Sequence, residues 1–344
     1  MKKLLSVILA VMLVITACPL VVLADEHTVR TEALILGSES ISNEQEGWSY
    51  DADNHLLTLD NVTIDCSAAE SDGNCITATE DLFIMLKGEN TFKSKTALTL
   101  NEEQASVIKY SGELAFNGTG TLNIIEGNYS LRSTSSENRL IFYGGTINIT
   151  HNLNNPSINE NSNAFLIGNN NPNTYISGGM VNSDVLFALK QINSGSINSY
   201  IVRGQSDLEI KGGEVNVALM FAIDLTINGG SVAIIGGDTK ILASQFLTDS
   251  DRLGIVATNS FKMNGGSVYT HGSACALTSL NCEFNGGSFV AASEGIAVAA
   301  VGESDDDAQL KISKSVQVDE PEDYQIKSFT YEDISPFAMG DNNS

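Results

Sequence analysis

Basic side chains are scarce in this sequence. Eighteen lysines and arginines face 42 aspartates and glutamates, for a formal net charge of -24. Such a chain has no stripe of positive charge to neutralise phosphates, which argues against nucleic acids as partners. Arginine is confined to Arg30, Arg132, Arg139, Arg203 and Arg252, and the histidines His27, His55, His151 and His271 lie far apart. No Ser/His/Asp order, phosphate-binding loop, metal-histidine pair or CxxC spacing can be read from these residues. There is one tryptophan and there are five prolines. Amphipathic helical periods are missing from the body of the chain, which leaves strands as the expected elements.

Glycine and aliphatic residues are what the chain has in quantity: 30 glycines, with hydrophobic residues at 42%. Residues 208–234, LEIKGGEVNVALMFAIDLTINGGSVAI, hold one ten-residue phrase twice. It runs apolar-x-apolar-x-Gly-Gly-x-apolar-x-apolar. Leu208, Ile210, Val215 and Val217 fill the apolar places first, and Leu225, Ile227, Val232 and Ile234 fill them again. Period-two alternation predicts a half-buried strand on each side. The Gly pair predicts a corner at which a Cβ would clash or φ must turn positive.

Close copies are LIFYGGTINI at 140–149, FKMNGGSVYT at 261–270 and CEFNGGSFVA at 282–291, with weaker ones at 174–183, 190–199 and 114–124. The second corner glycine falls at Gly145, Gly179, Gly195, Gly213, Gly230, Gly266 and Gly287. A turn of about 17 to 21 residues is therefore present or skipped once, the signature of a solenoid. A third apolar segment lies between copies, as at 218–223, 253–257 and 295–301, so three short strands per coil are expected. The fold class read from these features is all-β, a parallel β-helix.

Stacked coils bring equivalent positions into columns about 4.8 Å apart. The outward place between the last two apolar residues holds Asn123, Asn148, Asn182, Asn198, Asn216, Ala233, Tyr269 and Val290. Asparagine amides at this spacing can hydrogen-bond up a stack, and groups left over could meet sugar hydroxyls. Asn123, Asn148, Asn182, Asn198, Asn216 and Tyr269 are therefore the candidate carbohydrate-binding residues. A second recurrence, Asn228, Asn264 and Asn285 before the glycines, is explained by asparagine's tolerance of left-handed backbone at turns.

The sequence GWSYDADNHLLTLDNVTI at 47–64 predicts a β-hairpin that caps the first coil, with Trp48 packed in it. Together with DLFIMLKGENTF at 81–92 and ELAFNGTGTLNI at 113–124, it resembles a family of bacterial extracellular proteins. These are labelled carbohydrate-binding domain-containing and have a pectate-lyase-like right-handed parallel β-helix. The resemblance covers roughly residues 34–318 and implies right-handedness, a surface location, and glycan and calcium binding. It transfers no catalytic residue.

The boundaries that follow are a signal peptide at 1–24, or a lipoprotein leader at 1–17, then a strand and hairpin cap at 25–66. The β-helix occupies 67–318, and a C-terminal cap and tail 319–344. Met1-Lys2-Lys3 and the apolar run behind it form an export leader. Cleavage after Ala24 would release the chain, and cleavage before Cys18 would lipidate it. A lipid anchor or an uncleaved leader is the only membrane link expected, and the location expected is extracellular or the bacterial cell surface.

Segments 126–138, 151–173, 236–252 and 302–308 break the period and read as polar insertions. Asp305, Asp306 and Asp307 in the last could hold calcium through clustered carboxylates, the one cofactor considered. Cys66, Cys75, Cys275 and Cys282 allow local disulfides across short loops. Cys282, however, fills an apolar place in the phrase, where a buried thiol serves equally well.

The function expected is binding of a polysaccharide or cell-surface glycan, without catalysis. Two alternatives stand beside it. One is a polysaccharide lyase or glycoside hydrolase, for which Arg203 would need carboxylate neighbours such as Glu209, Glu214 or Glu283. The other is a structural or adhesin-like stalk that binds a surface protein.

Overall fold

The computed structural model describes residues 28–37, 42–68, 74–94, 106–125, 129–150, 166–167, 173–235, 253–271, 275–292, 296–302, 309–313, 317–319 and 327–330. Every regular element among them is a β-strand. The strands form three ladders, and all pairing among the described residues is parallel except near the N-terminus, where Trp48–Asp51 pairs antiparallel with both Asn43–Gln45 and Leu56–Asp60.

The ladder leading into the Gly corners takes Leu56–Asp60, Leu82–Lys87, Glu113–Gly118, Arg139–Phe142 and the start of Asn173–Ile210. Farther up it joins the ends of Asn173–Ile210, Glu214–Ile227, Leu253–Met263 and Cys275–Phe284, then Gln309–Ile312. The ladder leaving the corners begins at Thr28–Arg30 and Val62–Asp65 and continues through Glu89–Lys93, Thr121–Ile125 and Thr146–Thr150. Asn173–Ile210, Glu214–Ile227, Ser231–Ile235, Ser267–His271, Ser288–Ala292 and Gln317–Asp319 follow. The third ladder includes Leu34–Leu36, Ile76–Ala78, Ser106–Tyr110, Tyr129–Ser133 and Leu166–Ile167. Three strands per repeat is thus what the phrase and its intervening segment specify.

Alternation along each strand sends one set of side chains inward. Ile84, Phe116, Phe142 and Ile176 stand in register, as do Ile210, Ile227, Met263 and Phe284. The rings of Phe116 and Phe142 stack at 5.4 Å, 9° from parallel, while Phe284 meets Phe289 edge-on at 4.9 Å. Residues of all three ladders, such as Phe116, Ile124 and Leu131, belong to one core. Asn90 also points inward, fully buried. Its amide donates to the carbonyls of Lys87 and Thr121, and its oxygen accepts the Val62 N–H, so its burial leaves no polar atom stranded.

The corners need glycine for two reasons. Gly266 adopts φ +81°, where L side chains are strained, and a Cβ there would lie 2.7 Å from the Gly230 carbonyl oxygen of the rung below. Gly145, Gly179, Gly195, Gly213, Gly230 and Gly287 share the positive φ.

Three expectations need correction. Parallel pairing starts already at Thr28 and Leu34, ahead of the hairpin. The strands Asn43–Gln45 and Trp48–Asp51 are inserted ahead of the ladder strand Leu56–Asp60, against which Trp48–Asp51 pairs antiparallel. Segment 126–138 is not wholly loose, because Tyr129–Ser133 is a strand of the third ladder with Leu131 fully buried opposite Ile108. In segment 151–173, Leu166–Ile167 pairs with the same strand.

Candidate functional site

On the outward side of the ladder leaving the corners, register stacks Asn123 on Asn148 and Asn148 on Asn182, and Asn198 on Asn216. The five amides form one directional chain. Nδ2 of Asn148 donates to Oδ1 of Asn123 at 2.8 Å, and Asn182 to Asn148 at 2.7 Å. Asn198 donates to Asn182 at 2.8 Å and Asn216 to Asn198 at 3.1 Å. The donor end closes on a carboxylate: Asn123 donates to Glu89 at 3.2 Å. An anion suits this end, since the aligned amides direct their N–H groups toward it. At the other end Asn216 also donates to Glu214 at 3.2 Å.

An amide has two N–H donors and two acceptor lone pairs. Ladder bonds use one of each at Asn123, Asn148, Asn182 and Asn198, so each keeps one donor and one acceptor on the outward face. Above Asn216 the column continues through Ala233 to Tyr269 and Val290. Tyr269 is 42% exposed, with short neighbours above and below, so its ring is open to solvent. The six candidate residues Asn123, Asn148, Asn182, Asn198, Asn216 and Tyr269 therefore share one column.

A second amide ladder stands at the corners. Asn285 donates to Asn264 at 3.0 Å, Asn264 to Asn228 at 2.8 Å, and Asn228 to Glu209 at 2.8 Å. This corrects the turn reading of these asparagines: positive φ belongs to the second glycines, and the asparagine side chains bond between rungs. Glu89, the carboxylate that ends the outward ladder, is not singled out in the sequence, and Glu209 is considered there only as a catalytic carboxylate. The available signal was a glutamate near the amide column on a neighbouring rung.

The carboxylates weighed for catalysis are engaged elsewhere. Glu209 accepts from Gln191 at 2.7 Å and pairs with Lys211 at 3.2 Å. Glu283 lies between Lys262 and Lys311, at 3.5 and 3.4 Å, and these cations hold its carboxyl below the usual range. Arg203 pairs in register with Phe221 in the stretch between two corners, its guanidinium 5.5 Å over the Phe221 ring.

Cys66, Cys75, Cys275 and Cys282 are free, buried thiols, so the local bridges considered for them are not formed. Cys282 takes the inward place between Phe261 and Leu310 in register. Cys275 donates to the Leu277 carbonyl at 3.1 Å, and Cys75 to the Lys93 carbonyl at 3.0 Å. Burial pushes the Cys275 and Cys282 thiols up to about 12. Trp48 is buried opposite Leu59 in the hairpin, with Arg30 stacked 5.4 Å from its ring, as cap packing requires. Cys18 and Asp305, Asp306 and Asp307 lie outside the described residues. Among the described residues no group of three or more His, Cys, Asp or Glu side chains is arranged to hold a metal ion.

Parallel ladders and an extended outward amide face define a repetitive all-β protein with a long polar surface. Residues 48–306 match a family model described as carbohydrate-binding domain-containing protein, and the chain belongs to that family. No curated protein and no solved structure gives a significant match.

Proposed function

We propose that this is an exported, non-catalytic carbohydrate-binding protein whose ligand lies along the amide column from Asn123 to Tyr269. One observation carries this reading: the column keeps a spare donor and acceptor at Asn123, Asn148, Asn182 and Asn198 and continues to an exposed ring. Sugar hydroxyls both donate and accept, and sugar rings present C–H faces that pack on aromatic rings. Family membership supports carbohydrate as the ligand class. We further infer that the three ladders wind a pectate-lyase-like, right-handed parallel β-helix around their shared core, which would keep the column straight. The export leader supports a cell-surface or extracellular location, where glycans are the abundant polymers. A non-catalytic role is supported by the engagement of Glu209 and Glu283 with amides and lysines.

The test is retention on immobilised plant and bacterial polysaccharides, with and without calcium, for the native protein and for Tyr269→Ala. The expected result is retention on at least one polymer that Tyr269→Ala weakens about tenfold. Failure to bind any saccharide across a broad panel rejects the reading, and protein ligands found in its place would favour the adhesin alternative. Release of unsaturated or reducing-end products would favour the enzyme.

A further inference from the structure

The chemistry along the column narrows the ligand class, given the carbohydrate-binding reading above. Thr121–Ile125, Thr146–Thr150, Ser231–Ile235, Ser267–His271 and Ser288–Ala292 contain no lysine or arginine. Neither do the stretches of Asn173–Ile210 and Glu214–Ile227 that pair within this ladder, residues 180–182, 196–199 and 214–217. The lysine nearest in register, Lys93 opposite Ile125, forms an ion pair with Asp65 at 3.7 Å. Lys211 at the corner is paired with Glu209. The fixed charges touching the amides are both negative, Glu89 at one end and Glu214 at the other. Two residues before Asn123, Asn148 and Asn198 are the hydroxyls Thr121, Thr146 and Ser196, before Asn182 and Asn216 are Met180 and Glu214, and above them stand Ser231 and Ser267.

We infer that the column binds an uncharged, linear polysaccharide laid parallel to the stacking direction, and that it engages internal stretches of the polymer. A uronate or sulfated chain would bring its anions beside Glu89 and Glu214, where the described stretches bearing the amides present no lysine or arginine to meet them, on a protein of formal net charge -24. A neutral chain carries no such cost, and its hydroxyls match the spare amide groups and the flanking hydroxyls. From Asn123 to Tyr269 the column climbs six rung steps, roughly 29 Å at the strand spacing. Among the described residues of the column no side chain is larger than Tyr269, so none of them marks a chain terminus.

The length of the column gives the experiment its main readout. Affinities of neutral oligosaccharides of increasing length are measured by calorimetry, beside matched uronate oligomers with and without calcium. Binding should rise with chain length until the ligand spans the column, then level off. It should change less than about twofold between low and moderate salt, because no ion pairs form. Asn182→Ala should weaken the long neutral ligand by about tenfold, and Tyr269→Ala, which leaves every ladder bond in place, by a similar factor. Tighter binding of the uronate series, with or without calcium, overturns the inference while leaving carbohydrate binding intact. Neutral binding that is indifferent to length, or to both substitutions, also overturns it. Silence of both series removes the carbohydrate-binding reading, and this inference with it.

Discussion

Replacing Asn148 and Asn182 by alanine, singly and together, measures the amide ladder directly. Asn148→Ala removes two side-chain bonds, its own to Asn123 and the one it receives from Asn182. Asn182→Ala also removes two, its own to Asn148 and the one it receives from Asn198. The double variant removes three bonds, since one is shared. A net side-chain hydrogen bond is worth about 0.5–1.5 kcal/mol. Both residues are half-buried, so water compensates part of the loss and each single variant should cost about 1–2 kcal/mol. The double variant should be less destabilised than the sum of the singles by one bond, about 1 kcal/mol. Urea unfolding followed by circular dichroism gives the four free energies. Asn123 and Asn216, which share no bond, serve as the control pair and should be additive within about 0.5 kcal/mol. If coupling between Asn148 and Asn182 is no larger than in that control, the amides do not act as a ladder, and the ordered face argued for ligand binding loses its basis.

Gly266→Ala places a Cβ 2.7 Å from the Gly230 carbonyl oxygen at a φ of +81°, and should lower stability by at least about 2–3 kcal/mol in the same assay. Phe284→Ala empties a fully buried place between Phe261 and Phe289 and should cost about 3–5 kcal/mol. Alkaline pH should destabilise the protein through Cys275 and Cys282. Their folded pKa values are raised from 9.0 to about 12, so the folded state holds the protons that the unfolded state releases. Stability is then unaffected below pH 9 and falls as pH rises from 9 toward 12, by roughly 1 kcal/mol per thiol at pH 10. Replacing both cysteines by alanine should flatten that slope in urea titrations at pH 8, 9 and 10. The same two thiols should resist alkylation at pH 8 until denaturant is added, which mass spectrometry reads directly.

The register of the ladders was legible because two periods coincide in the phrase. Alternation assigns each side chain a face, and the Gly corner fixes where a rung starts. The Asn column follows by counting from that corner, and Asn148 and Asn182 fall into register whatever the length of the connection between their corners. Where one of the two periods fails, reading failed as well. Tyr129–Ser133 has no Gly corner beside it, and its buried Leu131 was lost among polar neighbours. Asn228, Asn264 and Asn285 were assigned to the backbone because their local sequence suits a turn. Their bonds, however, run to residues 19 to 36 positions away, which no local signal reports. Glu89 escaped notice for the same reason, since its partner Asn123 lies 34 residues on.

The glycine corners carry a further implication for how such a chain can change. Gly213 lies 18 positions after Gly195 and Gly266 lies 36 after Gly230, yet an added Cβ would sit 2.7 Å from the preceding carbonyl oxygen in both cases. Vertical alignment is thus kept at the Gly corners and is indifferent to the contour length spent elsewhere. Ala233 thus stands beside Tyr269 although residues 236–252 intervene in the chain.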